Sequence, residues 1–196
     1  ALLLTSCGTE QPAAVTLPAD APAAAMSPAL QARRTAAVRR FLQWYQGAQP
    51  RLDELLAATV RKQGQGDTAH YQVDEARAQE YLRYLQQAGW FSSGFIQDQQ
   101  QQFRRRNADF RRTRQAYGVP VGFEFGWILY TPQPAGIVAA ALKDGRIEVL
   151  SAEPEQWQAR VQLPGTGSLM LELTDANDST RVDTVYPNGI EQDLGQ

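Results

Sequence analysis

At 196 residues, with 43% hydrophobic and 20% charged side chains, the chain has the composition of a folded globular protein and room for one domain of ordinary size. A net charge of −2 excludes the overall basic excess that sequence-independent nucleic-acid binding needs. The single cysteine excludes an intramolecular disulfide and any cysteine-based metal cluster, and no apolar run reaches the roughly eighteen residues of a membrane-spanning helix.

The chain begins Ala1-Leu2-Leu3-Leu4-Thr5-Ser6-Cys7-Gly8, leucines followed by small residues, which has the form of the end of a signal-peptide core with the earlier part absent. Leu4-Thr5-Ser6-Cys7 resembles the bacterial lipobox, in which the signal is cut just before a cysteine that becomes the lipidated first residue. The resemblance implies that residues 1–6 are a signal remnant and that Cys7 is the lipid attachment site. It also implies an exported protein of the cell envelope, anchored to a bacterial membrane and facing the periplasm or the exterior. Each buried acyl methylene adds about 0.8 kcal/mol to such an anchor. Residues 7–27 then read as the lipidated cysteine and a tether, with Pro12, Pro18 and Pro22 among many alanines; in extended form such a segment advances about 3.1 Å per residue.

Residues 28–196 read as a single α+β domain. Ser27-Pro28 is a helix start, a hydroxyl cap followed by proline at the first helical position. Leu30, Ala37, Val38, Phe41, Leu42 and Tyr45 recur at helical spacing, and Gly47 with Pro50 marks a stop. Leu52, Leu55, Leu56 and Val60 suggest a second short helix before a polar loop over residues 63–68. Asp74 caps the next helix, whose apolar face is Ala78, Tyr81, Leu82 and Leu85 and whose stop is Gly89. From about Ser93 a long helix carries Ile96, Phe103, Phe110 and Tyr117 seven residues apart, a single stripe expected in the core, with the glutamines of 99–102 on a solvated face.

After Pro120 the pattern changes to period two or short apolar runs, at 122–130, 137–142, 146–150, 157–163, 169–173 and 180–186, which read as strands of an antiparallel sheet. Asp144-Gly145 has the composition of a hairpin turn between two of them. Helices first and strands afterward predict an α+β fold with N-terminal helices packed on one face of a curved antiparallel sheet of about five to six strands.

Three stretches, residues 37–45, residues 81–103 with the Gly89-Trp90-Phe91-Ser92 break, and Gly122-Phe123-Glu124-Phe125, occur in an order that resembles envelope proteins with a cystatin-like or nuclear-transport-factor-two-like α+β domain. That resemblance, over roughly residues 30–186, implies a cone in which sheet and helices enclose a pocket. The chain departs from the enzymatic members in lacking their Asp/His pair, so no catalysis is carried over.

Chemistry legible in the sequence is sparse. His70 is the only histidine and no Gly-x-Ser-x-Gly elbow accompanies it. Asp175-Ala176-Asn177-Asp178 lacks the glycine and distant glutamate of a calcium loop and reads as a turn, and neither glycine pair, Gly64/Gly66 or Gly165/Gly167, completes a phosphate loop. No catalytic residue, metal site or cofactor is assigned. Charge is segregated: residues 30–117 hold fifteen Lys/Arg against eight Asp/Glu, and residues 118–196 four against eleven. Arg104, Arg105, Arg106, Arg111, Arg112 and Arg114 form the densest positive group. It is either a partner-binding face for anionic headgroups, cell-wall polymer or an acidic envelope protein, or a solvated face whose arginines pair with the acidic half. Trp44, Trp90 and Trp127 are the candidate ligand-binding aromatics, Trp127 sharing the apolar strand parity of Phe123 and Phe125. The expectation is a non-enzymatic binding or interaction domain. The alternatives are a small-ligand enzyme using Glu124, Tyr130 or His70 for proton transfer, and an inhibitor or immunity-type partner protein.

Overall fold

A computed structural model of the chain describes residues 26–131, 133–151, 153–164, 167–176 and 179–189; Cys7 and nearly all of the expected tether lie outside them. The order of elements is α1 (Pro28–Ala58), β1 (Val60–Gln63), β2 (His70–Val73), α2 (Glu75–Ala88), α3 (Ser93–Thr113), α4 (Pro134–Asp144), β3 (Arg146–Val149), β4 (Gln156–Leu163), β5 (Gly167–Ala176) and β6 (Ser179–Asn188). The fold is α+β, with two antiparallel sheets: a β1-β2 hairpin and a four-stranded meander ordered β3-β4-β5-β6. The single sheet of five to six strands expected from the sequence is therefore corrected to four strands plus a separate pair.

The helix starts follow their capping chemistry. Ser27 Oγ accepts from the Leu30 amide at 3.2 Å, Asp74 Oδ1 from Ala76 and Arg77, and Ser92 Oγ from Phe95, each satisfying an amide that a helix N-terminus leaves unpaired. Gly89 ends α2 at φ +74°, a left-handed position that glycine takes without steric cost.

Pro50 does not end α1. The two helices expected around it are one, because the buried stripe Val38, Phe41, Leu42, Tyr45, Ala48, Leu52, Leu55 and Leu56 keeps helical spacing straight across the proline. An interior proline costs about 3 kcal/mol. Burial of both halves of the stripe in the same core offsets it, and Gln46, whose carbonyl lacks a helical donor, is on the exposed side with Pro50.

Two expected strands are absent. Residues 137–142 lie in α4, where Pro134 stands at the start, Val138 and Ala141 are buried one turn apart, and the four alanines at 135, 139, 140 and 141 favour helix. Asp144-Gly145 is accordingly the junction from α4 into β3 and no hairpin; a Cβ on Gly145 would lie 2.8 Å from the Ala141 Cα, so the close approach needs glycine. Residues 122–130 fold back on themselves without a partner strand. Trp127 Nε1 donates to the Gly122 carbonyl at 2.7 Å, the Gly122 amide donates to Glu124 Oε2 at 2.6 Å, and the Tyr130 amide donates to the Gly126 carbonyl. Conversely, the polar stretch after α1 carries β1 and β2, paired from Val60↔Val73 to Gln63↔His70.

One face of the large sheet builds the core. Trp157, Ala159, Val161 and Leu163 on β4 and Leu169, Leu171 and Leu173 on β5 are buried at alternate positions, while Gln158, Gln162 and Glu172 between them are not. α1 and α4 pack on this side at β3 and β4, and α3 at β6. Arg34, 1% exposed, crosses from α1 to the sheet: its guanidinium bonds the Ser151 carbonyl at 3.0 Å, the Glu153 and Pro154 carbonyls and Asp175 Oδ2, and lies 4.8 Å from the centre of the Trp157 ring.

In the α3 stripe, Ile96, Phe103 and Phe110 are buried, but the helix ends at Thr113 and Tyr117 lies beyond it, 78% exposed. Gln99, expected in solvent, is buried, with its side-chain amide 3.4 Å from the Trp127 carbonyl. Phe103→Ala should therefore destabilise the domain by about 3–5 kcal/mol, whereas Tyr117→Ala should cost no more than about 0.5 kcal/mol. Urea unfolding of both variants checks the contrast, and a large loss at Tyr117 would contradict the boundary.

Candidate functional site

The structure brings together two of the three candidate tryptophans. Trp44 and Trp90 have ring centres 6.3 Å apart, both against Phe41, at 6.0 and 5.9 Å. Trp127 is elsewhere, 1% exposed between Phe103 at 4.5 Å and Phe123 at 4.8 Å, where it fills the core. Trp127 thus stands apart from the other two indoles, and residues 123, 125 and 127 lie in no strand, so strand parity does not set where their side chains face.

Trp90 is placed by the end of α2. After Gly89 turns the chain, the Trp90 carbonyl accepts from the Val182 amide at 2.7 Å and the Ser92 amide donates to the Val182 carbonyl at 3.1 Å. Phe91 is thus bridged in parallel to β6. The indole stands at the wall of a groove of about 500 Å³ whose other sides are Arg33, Ala37 and Arg40 of α1 and Asp175, Ala176, Ser179 and Thr180 at the β5-β6 end. Residues 33, 37 and 40 share one face of α1 because they are four and three apart.

The electrostatics of this groove favour an anion. Asp175 is fully engaged: Oδ2 meets Arg33 at 3.2 Å and Arg34 at 3.4 Å, and Oδ1 accepts from Thr180 at 2.8 Å. Arg40 is exposed and makes no ion pair among the described residues. A half-buried indole beside an uncommitted guanidinium, with a second arginine only partly committed, suits a ligand that joins a flat apolar face to a carboxylate or phosphate.

Among the described residues the arginines of α3 make no ion pair with the acidic sheet half. Arg106 and Arg112 meet Asp109 of the same helix at 3.7 and 3.1 Å, and Arg105 reaches Gln101. Arg104 lines a cleft of about 330 Å³ between α2 and α3, with Phe103 and Asn107. Arg111 and Arg114 make no ion pair among the described residues, and Arg114 itself caps α3 in a left-handed conformation at φ +51°.

Of the proton-transfer candidates, His70 and Glu124 lie at different places in the fold. His70 sits on β2 with Nδ1 3.0 Å from the Thr68 carbonyl. Glu124 lines a different cleft, about 480 Å³, together with Asp53, Phe123, Phe125 and the start of α4. Asp53 is a site residue the sequence did not disclose. It follows Pro50, so reading a helix stop there hid that it shares the long helix with Tyr45. Among the described residues no group of three or more His, Cys, Asp or Glu is placed to hold a metal ion. Of the Asp175–Asp178 turn, residues 177 and 178 lie outside the described set.

The chain matches no protein-family model, no curated protein and no solved structure.

Beside the Asp53 cleft, burial above all, and then the negative Asp53, pushes the Tyr45 phenol well above its ordinary 10.0; burial does the same to Tyr81. Both phenols stay neutral in the fold, while in the unfolded chain they ionise near 10, so above that pH the unfolded state releases protons first. Their contribution to stability is complete below about pH 10 and is lost as pH rises further. Denaturant midpoints between pH 8 and 11.5 should fall at the alkaline end, and a Tyr45→Phe, Tyr81→Phe double variant should flatten that fall; an equally steep fall in the variant would contradict it.

Proposed function

We propose that this is an exported lipoprotein of the bacterial envelope, anchored through Cys7, whose domain is a non-enzymatic binding module that takes an anionic ligand in the groove beside Trp90. The observation that carries the binding reading is the joining of Trp90 to Arg33 and Arg40 in one open groove. Its position supports the anchored reading. α1 begins at Pro28, and Arg33 is five residues along it, about 8 Å at the helical rise, so the groove is next to the point where the tether joins the domain. A ligand bound there lies beside the domain end of the tether.

Among ligands of the envelope, a cell-wall fragment fits this chemistry: the apolar face of a sugar ring stacks on an indole, and a peptide or lactyl carboxylate pairs with guanidinium. The resemblance to cystatin-like and nuclear-transport-factor-two-like envelope domains agrees with a ligand-holding role. Among the described residues no helix is long and apolar enough to cross a membrane, so in this reading attachment is through the acyl chains.

Two measurements test the two halves separately. Cys7→Ser should move the protein from the detergent-extracted membrane fraction to the soluble exported fraction without altering its unfolding curve; retention in the membrane pellet at high salt would sink the anchor. Titration of the purified protein with muropeptides should change tryptophan fluorescence, and Trp90→Leu or Arg40→Ala should weaken binding by about tenfold, the worth of one stacking or charge-assisted contact. Unchanged affinity in both variants would remove the groove from consideration.

A further inference from the structure

The segment after α3, Gln115-Ala116-Tyr117-Gly118-Val119-Pro120-Val121, presents the three most exposed large apolar side chains among the described residues: Tyr117 at 78%, Val119 at 61% and Val121 at 54%. Single exposed apolar residues need no explanation, but three within five positions at a loop tip form a patch.

The carbonyls beneath them are met by protein donors. The Gln115 side-chain amide donates to the Tyr117 carbonyl at 3.1 Å and to the Val119 carbonyl at 2.8 Å, while its oxygen accepts from the Val121 amide at 2.9 Å. The Tyr71 hydroxyl donates to the Gly118 carbonyl at 2.8 Å, and the Phe123 amide donates to the Pro120 carbonyl at 3.0 Å. Four successive carbonyls, 117 to 120, therefore have protein donors, and Pro120 has no N–H to satisfy. A loop that only faced water would gain little from this, since water serves exposed carbonyls equally well. In an apolar medium each unserved group would cost several kcal/mol.

The rim is basic. The Lys62 ammonium lies 5.2 Å from the Tyr117 ring and 5.4 Å from the Tyr71 ring, and Arg111 and Arg114 precede the loop, all three without an ion pair among the described residues. We propose that this loop docks on an anionic bilayer surface, with Tyr117, Val119 and Val121 entering the headgroup–acyl boundary and Lys62, Arg111 and Arg114 meeting lipid phosphates. The charge around the tip selects an anionic surface over a neutral one. The docking rests neither on Cys7 nor on the Trp90 groove, and it would fix how a tethered domain faces its membrane.

The test uses the full chain with Cys7→Ser, which removes any acyl anchor, and sedimentation with vesicles of phosphatidylglycerol and phosphatidylethanolamine or of phosphatidylcholine alone. Binding to the anionic vesicles should exceed binding to the neutral ones by at least about tenfold in partition coefficient, and the excess should shrink with salt. Tyr117→Ser with Val119→Ser should lower it by about tenfold, and Arg111→Ala or Arg114→Ala by about fivefold each. These side chains are exposed, and unfolding curves matching the parent confirm that the fold survives. Trp90→Leu should leave vesicle binding unchanged, which separates this surface from the groove. No binding to anionic vesicles at low salt, or equal binding by the Tyr117→Ser, Val119→Ser chain, overturns the proposal.

Discussion

A guanidinium removed from water must be met on all sides, and that requirement at Arg34 organises this domain. Taking a cation into the interior costs several kcal/mol unless partners replace its hydration. Here they come from three directions, all distant from Arg34 in sequence: the carbonyls of the β3-β4 connection, the face of Trp157 that follows them on β4, and Asp175 at the end of β5. Only a planar group with several fixed donors can serve all three directions at once, so lysine is no substitute. The same contacts set the first half of α1 against the sheet end, and thereby set Arg33, Ala37 and Arg40 against Trp90. The groove exists because Arg34, one position from its rim, is not free to leave.

The helical half was legible because its signals are local. A hydroxyl or carboxylate cap, a 3–4 apolar spacing and a left-handed glycine are decided within one turn, and Ser27, Asp74, Ser92 and Gly89 all act as their chemistry implies. The errors fall where tertiary burial overrides a local rule. Pro50 is tolerated because Leu52, Leu55 and Leu56 extend a stripe already buried; the heptad stripe fails at Tyr117 because Arg114 leaves the helix before that residue is reached. In the strand half, short apolar runs carry no periodicity able to separate a buried strand from a buried helix, which is why residues 137–142 were misplaced. The run of β4, in which Trp157, Ala159, Val161 and Leu163 alternate with polar residues, carries that periodicity and reads as a strand.

Of the candidate site, the sequence supplied Trp44 and Trp90 but could not say that they meet without Trp127. Indoles spaced along a chain say nothing about which share a wall. Arg33, Arg40 and Asp175 were also invisible as a group, since 142 positions separate Arg33 from its carboxylate partner and neighbouring arginines on a helix ordinarily face water. The basic cluster of α3 was visible by composition. That its ion pairs among the described residues are with Asp109 of the same helix depends on side-chain reach that charge counts do not contain.

The bridge between Phe91 and Val182 also bears on how copies of this protein treat one another. A sheet's outermost strands offer unpaired amides and carbonyls to any neighbouring chain, including another copy of the same protein. The β6 side is occupied in part by the 90–92 segment, which uses both polar groups of Val182. The opposite side ends in β3, only four residues long and carrying Arg146 and Glu148. The β3 margin is short and charged and the β6 margin is interrupted at Val182, two features that oppose extension of the sheet by another chain.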